Sequence, residues 1–235
     1  MEAAFVLHRW PYQETSLIVE LYSRTQGRMR VVAKGAKRPK SPWRSILQPF
    51  VPLTVETRGR HDLQTLTHAE SSAGALQLAG RQLYSGFYLN ELIQRLTTPY
   101  QANDALFDDY QESLQLLQEA EHVEPLLRRF EWQLLQHSGH AFDWLHDAES
   151  GAAIEPLKRY DFRAEYGFVE SLQGAFDGVD LLKIHDFEVS DERLLRLMKH
   201  IMRAALQPYL GSQPLRSRSL FQGQTKSVKD TTHDT

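Results

Sequence analysis

Apolar and polar positions alternate with a period of two over residues 2–70, which predicts short strands with one face turned to a core. Phe5 and Leu7 alternate with Val6 and His8, and Leu17, Val19 and Leu21 alternate with Ile18, Glu20 and Tyr22. Thr25-Gln26-Gly27 reads as a turn into a third strand, so these two form a hairpin. Leu53 and Val55 lead to an Arg58-Gly59-Arg60 turn, and Leu63 to Glu70 completes a second hairpin. Five strands with a long third-to-fourth connection fit a small closed barrel better than a sandwich. The OB pattern and an SH3-like barrel would both produce this string.

From Ala73 the period lengthens. Leu83, Phe87, Leu89, Ile93 and Leu96 recur at helical spacing until Thr97-Thr98-Pro99, and Leu106, Tyr110, Leu114 and Leu117 mark a second helix. Pro125 suits the first turn of a third, which carries Leu127, Phe130, Leu134 and Leu135 before Gly139. Between 139 and 188, Gly139, Gly151, Gly167, Gly174 and Gly178 interrupt short apolar pieces, which predicts an irregular lobe with a hairpin. Ser190 is expected to cap a last helix holding Leu194, Leu197, Met198, Ile201 and Ala205, ending before Pro208 and Gly211. The tail beyond Phe221 is polar and expected to be disordered.

The expected class is therefore α+β, a five-stranded N-terminal barrel followed by a mainly helical domain with a small irregular inserted lobe. The expected division is 1–78 for the barrel, 79–222 for the helical domain with its lobe at about 140–188, and 223–235 for the tail. The 235 residues are 41% hydrophobic and 24% charged, as in a globular protein. No apolar run approaches the ~18 residues a membrane helix needs. The first residues, MEAAFVLHRWPY, lack a basic start and a long apolar stretch, so no signal peptide is expected. Cytoplasmic location is the default.

Net charge is only −3, but its distribution is uneven. Residues 1–80 hold 11 Lys and Arg against 6 Asp and Glu, a balance of +5, and the remainder stands at −8. A basic first third points to a polyanionic partner. The charge is densest in RMRVVAKGAKRPKSPWR, residues 28–44. There Arg28, Arg30, Val32 and Lys34 share one strand face, opposite Met29, Val31 and Ala33. Lys37, Arg38, Lys40 and Arg44 follow in a loop stiffened by Pro39 and Pro42, with Trp43 among them. Cations beside a stacking surface suit a sequence-tolerant binder of single strands; a solvated strand face with a polar loop is the alternative.

Chemistry for catalysis is not evident. No phosphate loop, dinucleotide fingerprint or serine elbow occurs. Cysteine is absent, and His137, His140 and His146 lack the rest of a ligand set, so no metal or cofactor is expected. Asp108-Asp109 reads as surface. Arg196, Lys199 and Arg203 lie on one face of the last helix, where cations also suit the dipole. Arg128 and Arg129 stand beside Phe130 and Trp132, a combination able to hold a peptide carboxylate. Residues 215–221, LRSRSLF, either fold back on the barrel or reach DNA.

Taken together, ETSLIVELYS, GRMRVVAKGAKR, LQPFVPL, LYSGFYLNELIQRL, EPLLRRFEWQLL and PYLGSQPLRSRSLF resemble the RecO family of bacterial recombination mediators. These segments run in order over most of the chain. The resemblance implies an N-terminal OB-fold barrel and a helical domain with an inserted lobe. It implies a non-enzymatic DNA repair mediator that binds single- and double-stranded DNA. Such a protein anneals strands coated by single-stranded DNA-binding protein and joins RecR to load RecA at gaps. Nucleoid association in the cytoplasm follows. Many members carry a four-cysteine zinc lobe; without cysteine, this lobe is expected to hold by packing alone.

Carried over by position, the DNA contacts implied are Arg28, Arg30, Lys34, Lys37, Arg38, Lys40, Trp43 and Arg44. The C-terminal tail of single-stranded DNA-binding protein is expected on the helical domain at Arg128, Arg129 and Phe130, with Arg203 next. The rival reading is a protein-only adaptor in a repair or replication assembly, whose positive face is incidental.

Overall fold

The computed structural model describes residues 1–59, 62–189 and 191–221. Arg60 of the expected turn, the Ser190 cap and the tail from 222 lie outside the described residues. The alternating first third closes into a barrel of β1 (Glu2–Tyr12), β2 (Ser16–Ser23), β3 (Gly27–Ala33), β4 (Leu53–Arg58) and β5 (Leu63–Ser71). The order around it is β1-β2-β3-β5-β4, with β3 parallel to β5 and β1 antiparallel to β4. This is the OB arrangement, and it decides between the two barrels the periodicity leaves open.

The inward side chains are those the alternation selects. Val19, Leu21, Met29, Val31, Ala33, Leu53 and Val55 form the barrel core, each almost fully buried. The long third-to-fourth connection holds a single helical turn, α1 (Trp43–Ile46). Leu47 enters the core completely, and Trp43 and Ile46 pack on it from the side, so α1 stoppers one end of the barrel. Full burial of a leucine contributes about 2 kcal/mol, which fixes the loop preceding it.

The outer surface near the barrel's start is covered by α2 (Gly80–Leu96) and α3 (Asp104–Glu119). Phe5 and Tyr22 meet Phe107 and Tyr110 of α3 with ring centres 5.4 to 5.8 Å apart. Tyr110 donates to Asn90 of α2 at 2.6 Å, and Asn90 donates to the Leu7 carbonyl at 3.2 Å. Gly86 lets α2 approach closely, since a Cβ there would stand 2.8 Å from the Phe50 ring. Gly27 is required at the β2–β3 turn. Its φ is +70°, and a Cβ would lie 2.1 Å from the Gln101 carbonyl oxygen.

By contacts the chain forms two compact units, Met1–Val123 with the chain from Leu215, and Glu124–Pro214. The change from strands to helices falls near residue 78, but α2 and α3 pack with the barrel because of the aromatic and amide contacts above. The second unit holds α4 (Glu124–His137), a sheet of β6 (Arg159–Arg163), β7 (Gly167–Glu170) and β8 (Phe176–Asp177), α5 (Gly178–His185) and α6 (Glu192–Leu206). The sheet order is β7-β6-β8. The glycine-rich region is thus more regular than its sequence predicts. It contains α5, whose eight residues are too few to display a helical period. Asp191 caps α6, accepting from the Arg193 amide at 2.7 Å.

The lobe does not rest on packing alone. Trp132, Phe142, Trp144, Phe162, Phe168 and Phe176 form a chain of ring contacts between 4.8 and 6.1 Å. Beside them Asp147 is buried, and its carboxylate accepts from the amides of Glu149, Ser150 and Glu170 and from the Ser150 hydroxyl. One carboxylate thereby ties the 147–151 turn to β7.

Candidate nucleic-acid interface

Three strands build the exposed face. Register places His8 opposite Glu20 and Glu20 opposite Arg30, and likewise Trp10, Ile18 and Val32 in the neighbouring row. Strands lie about 4.8 Å apart, so each row spans about 10 Å. A register shift between Val6 and His8 lets the outward series of β1 restart at His8, Trp10 and Tyr12.

The basic stretch separates into three structural roles. Arg28 lies on the outer face but is covered there by the end of α2: its side chain is 13% exposed, donates to Glu20 at 2.7 Å and reaches the Thr97 carbonyl at 2.8 Å. Glu20, only 4% exposed, also accepts from Gln94 at 2.9 Å. Arg30 is exposed, and its guanidinium lies 5.4 Å from the Trp10 ring centre. The remaining cations, Lys34, Lys37, Arg38, Lys40 and Arg44, stay exposed around one loop.

That loop is held in shape. The Lys37 amide donates to Thr15 at 2.8 Å, and the Lys37 ammonium reaches the Gln13 carbonyl at 3.2 Å. Arg38 and Ser41 amides donate to Gly35 and Arg38 carbonyls at 3.0 Å. The loop is therefore tied to the β1–β2 turn at one side and to the α1 stopper at the other. Trp43 spends much of its ring on the barrel core, leaving only part of it to face a base.

Two aromatic side chains that the basic run does not advertise stand nearer Arg30. Trp10 is half-buried, with its ring 4.5 Å from that of His8. Tyr100 is 38% exposed; its amide donates to the Arg28 carbonyl and its hydroxyl to the Asp62 carbonyl at 2.6 Å. The HRWPY pattern carries the Trp10 signal, but only once the shift in β1 is known. Tyr100 follows a helix-ending proline and has no local signal.

In the second unit, Phe130 is completely buried and Arg128 is 4% exposed, paired with Glu131 at 2.5 Å. They are interior residues, whereas Arg129 and Arg203 are exposed. Lys199 of α6 is half-buried, and burial, then the Arg128 and Arg203 charges, push its ammonium below the usual lysine value against the opposing pull of Glu124 and Glu131. The structure thus gathers Arg128, Lys199 and Arg203 across α4 and α6, while Arg196 pairs with Glu192 along its own helix at 2.7 Å.

His146 meets Asp143 at 2.8 Å, and His140 stacks on Tyr209 with centres 3.8 Å apart. Among the described residues no group of three or more His, Asp or Glu is arranged to hold a metal ion. Among them also, no helix is long and apolar enough to cross a membrane.

Residues 1–75 match the family model described as Recombination protein O N terminal, and residues 77–219 match Recombination protein O C terminal. DNA repair protein RecO of Idiomarina loihiensis is 53% identical over 228 residues, covering 94% of this chain and 97% of that protein. The protein of the same name from Haemophilus influenzae strain 86-028NP is 46% identical over 224 residues, covering 94% and 95%. That from Photobacterium profundum is 43% identical over 236 residues, covering 97% and 98%.

Proposed function

The chain belongs to the recombination protein O family of DNA repair proteins, and from this premise we propose that it is a non-enzymatic recombination mediator. It binds single- and double-stranded DNA through the β1–β3 face and the 34–44 loop, and anneals strands coated by single-stranded DNA-binding protein. With RecR it promotes RecA loading at gaps, in the cytoplasm at the nucleoid. The observation that carries this reading is the set of exposed cations, Arg30, Lys34, Lys37, Arg38, Lys40 and Arg44, presented by an OB barrel.

Annealing needs no bond chemistry. Two polyanions must be neutralised together while their bases stay free to search for register. Lys and Arg displace counterions, and aromatic rings beside them hold bases without choosing among sequences. For the acidic tail of single-stranded DNA-binding protein, Arg129, Lys199 and Arg203 offer the charges. Arg128 adds its field from beneath, and buried Phe130 supports the helix from within.

The test is a salt titration of a mixed-sequence single-stranded oligonucleotide against the wild type and a Lys34→Ala, Lys37→Ala, Arg38→Ala variant. Single-strand binding loses about 0.7 of log-log slope per cation removed, so the slope should flatten by roughly 2. The variant should also anneal coated strands more slowly. An unchanged slope in a folded variant would overturn the DNA assignment and favour the protein-only adaptor.

A further inference from the structure

The chain beyond Leu215 returns to the first unit and is clamped there by one side chain. The Glu91 carboxylate of α2 accepts from the Arg216 and Ser217 amides, both at 2.9 Å, and from the Ser217 hydroxyl at 2.7 Å. Arg95 holds the same carboxylate from one turn along α2 at 2.8 Å. Leu215 and Ser217 are buried by this docking, and Phe221 meets Tyr84 with ring centres 5.9 Å apart. The anchored strap leaves Arg216 itself exposed.

Its position follows from the residue beside the clamp. Asn90, adjacent to Glu91, bonds the Leu7 carbonyl, one residue before His8. The strap is therefore held at the β1 side of the exposed face, beyond the end of the row His8–Glu20–Arg30. Electrostatics agrees with this placement. Burial lowers the proton affinity of His8, Glu20 opposes that, and the Arg216 and Arg9 charges add to it.

We infer that the Leu215–Phe221 strap is part of the nucleic-acid surface, with Arg216 supplying a phosphate contact beyond β1 and Glu91 acting as the positioning residue that holds it there. Resting on the DNA-binding reading above, this extends the path of a single strand across the sheet, from Arg30 past Trp10 and His8 to Arg216. Glu91 is spent on strap amides and Arg95, so its charge beside Arg216 is already met by donors and opposes a phosphate less.

The experiment uses the full chain in the same salt titration with Arg216→Ala, Glu91→Ala and the double variant. Arg216→Ala should reduce the slope by about 0.7 and weaken binding several-fold at low salt. Glu91→Ala should weaken binding too. Removing an acid beside a polyanion would by itself strengthen it, so a loss reports release of the strap rather than a charge effect. The double variant should be no weaker than the worse single one, because both remove one contact. Wild-type slope and affinity in folded Arg216→Ala, while the loop triple variant still loses slope, would overturn this inference alone. A wild type whose binding ignores salt would overturn the DNA-binding reading itself and the strap with it.

Discussion

Arg28 donates to Glu20 at 2.7 Å where the end of α2 covers the outer face of the barrel, so the first cation of the basic run is a structural partner of the strand beside it. Replacing Arg28 with Ala leaves the buried Glu20 carboxylate with Gln94 at 2.9 Å and the exposed Arg30 at 3.7 Å as its remaining partners. Loss of one member of a buried pair costs roughly 3 kcal/mol. Arg28→Ala should therefore lower the urea midpoint clearly. Its salt slope for DNA should match the wild type, and a flattened slope at full stability would assign Arg28 to the phosphate path.

Trp10 separates stacking from charge. Base–aromatic contacts contribute about 1–3 kcal/mol per base, so Trp10→Ala should weaken single-strand binding about tenfold or more. Its cations are all retained, so the log-log slope should not move. Anisotropy at several salt concentrations reads both quantities. Unchanged affinity would remove Trp10 from the surface.

Asp147 gives the second unit an acid limit. Burial opposes its charge, but hydrogen bonds from Ser150, Glu170 and Glu149 outweigh that and hold its carboxyl at about 2, below the ordinary 3.8. A group depressed on folding stabilises the fold fully above its unfolded value and loses that contribution as pH falls through its folded one. Stability of the lobe should thus be steady above about pH 4 and decline towards pH 2, followed by Trp132 and Trp144 fluorescence. Asp147→Asn keeps an acceptor for the turn but turns an amide towards the Glu170 N–H. It should cost about 1–3 kcal/mol at neutral pH and abolish this acid step.

What the chain reveals locally and what it conceals differ by the range of the interaction. Met29, Val31 and Ala33 point into the barrel as alternation requires, because the period of a strand is a property of the strand alone. The choice of an OB barrel needed the β3–β5 and β1–β4 pairings, which no periodicity encodes. Arg28 and Arg30 look alike in sequence and both meet Glu20, yet they part because Thr97 at the end of α2 bonds Arg28, whose side chain is 13% exposed against 57% for Arg30. Trp43 stands among the loop cations as a stacking surface does, yet part of its ring packs on the core, since Leu47 is drawn fully into that core. Phe130 sits on the apolar stripe of α4, and its burial follows from that stripe; the cluster of Arg128 with Lys199 needs two helices brought together.

The chain's return at Leu215 also bears on how the molecule is made. Residues 124–214 form a unit inserted between two parts of another, so synthesis from the N-terminus delivers the Glu91 carboxylate some 125 residues before its partners. A nascent chain can close its barrel early, while the edge of α2 stays uncovered until the inserted unit has left the ribosome. The strap can dock only after the whole inserted unit has been made, and chains stalled before Leu215 would carry a folded barrel with an unfinished surface.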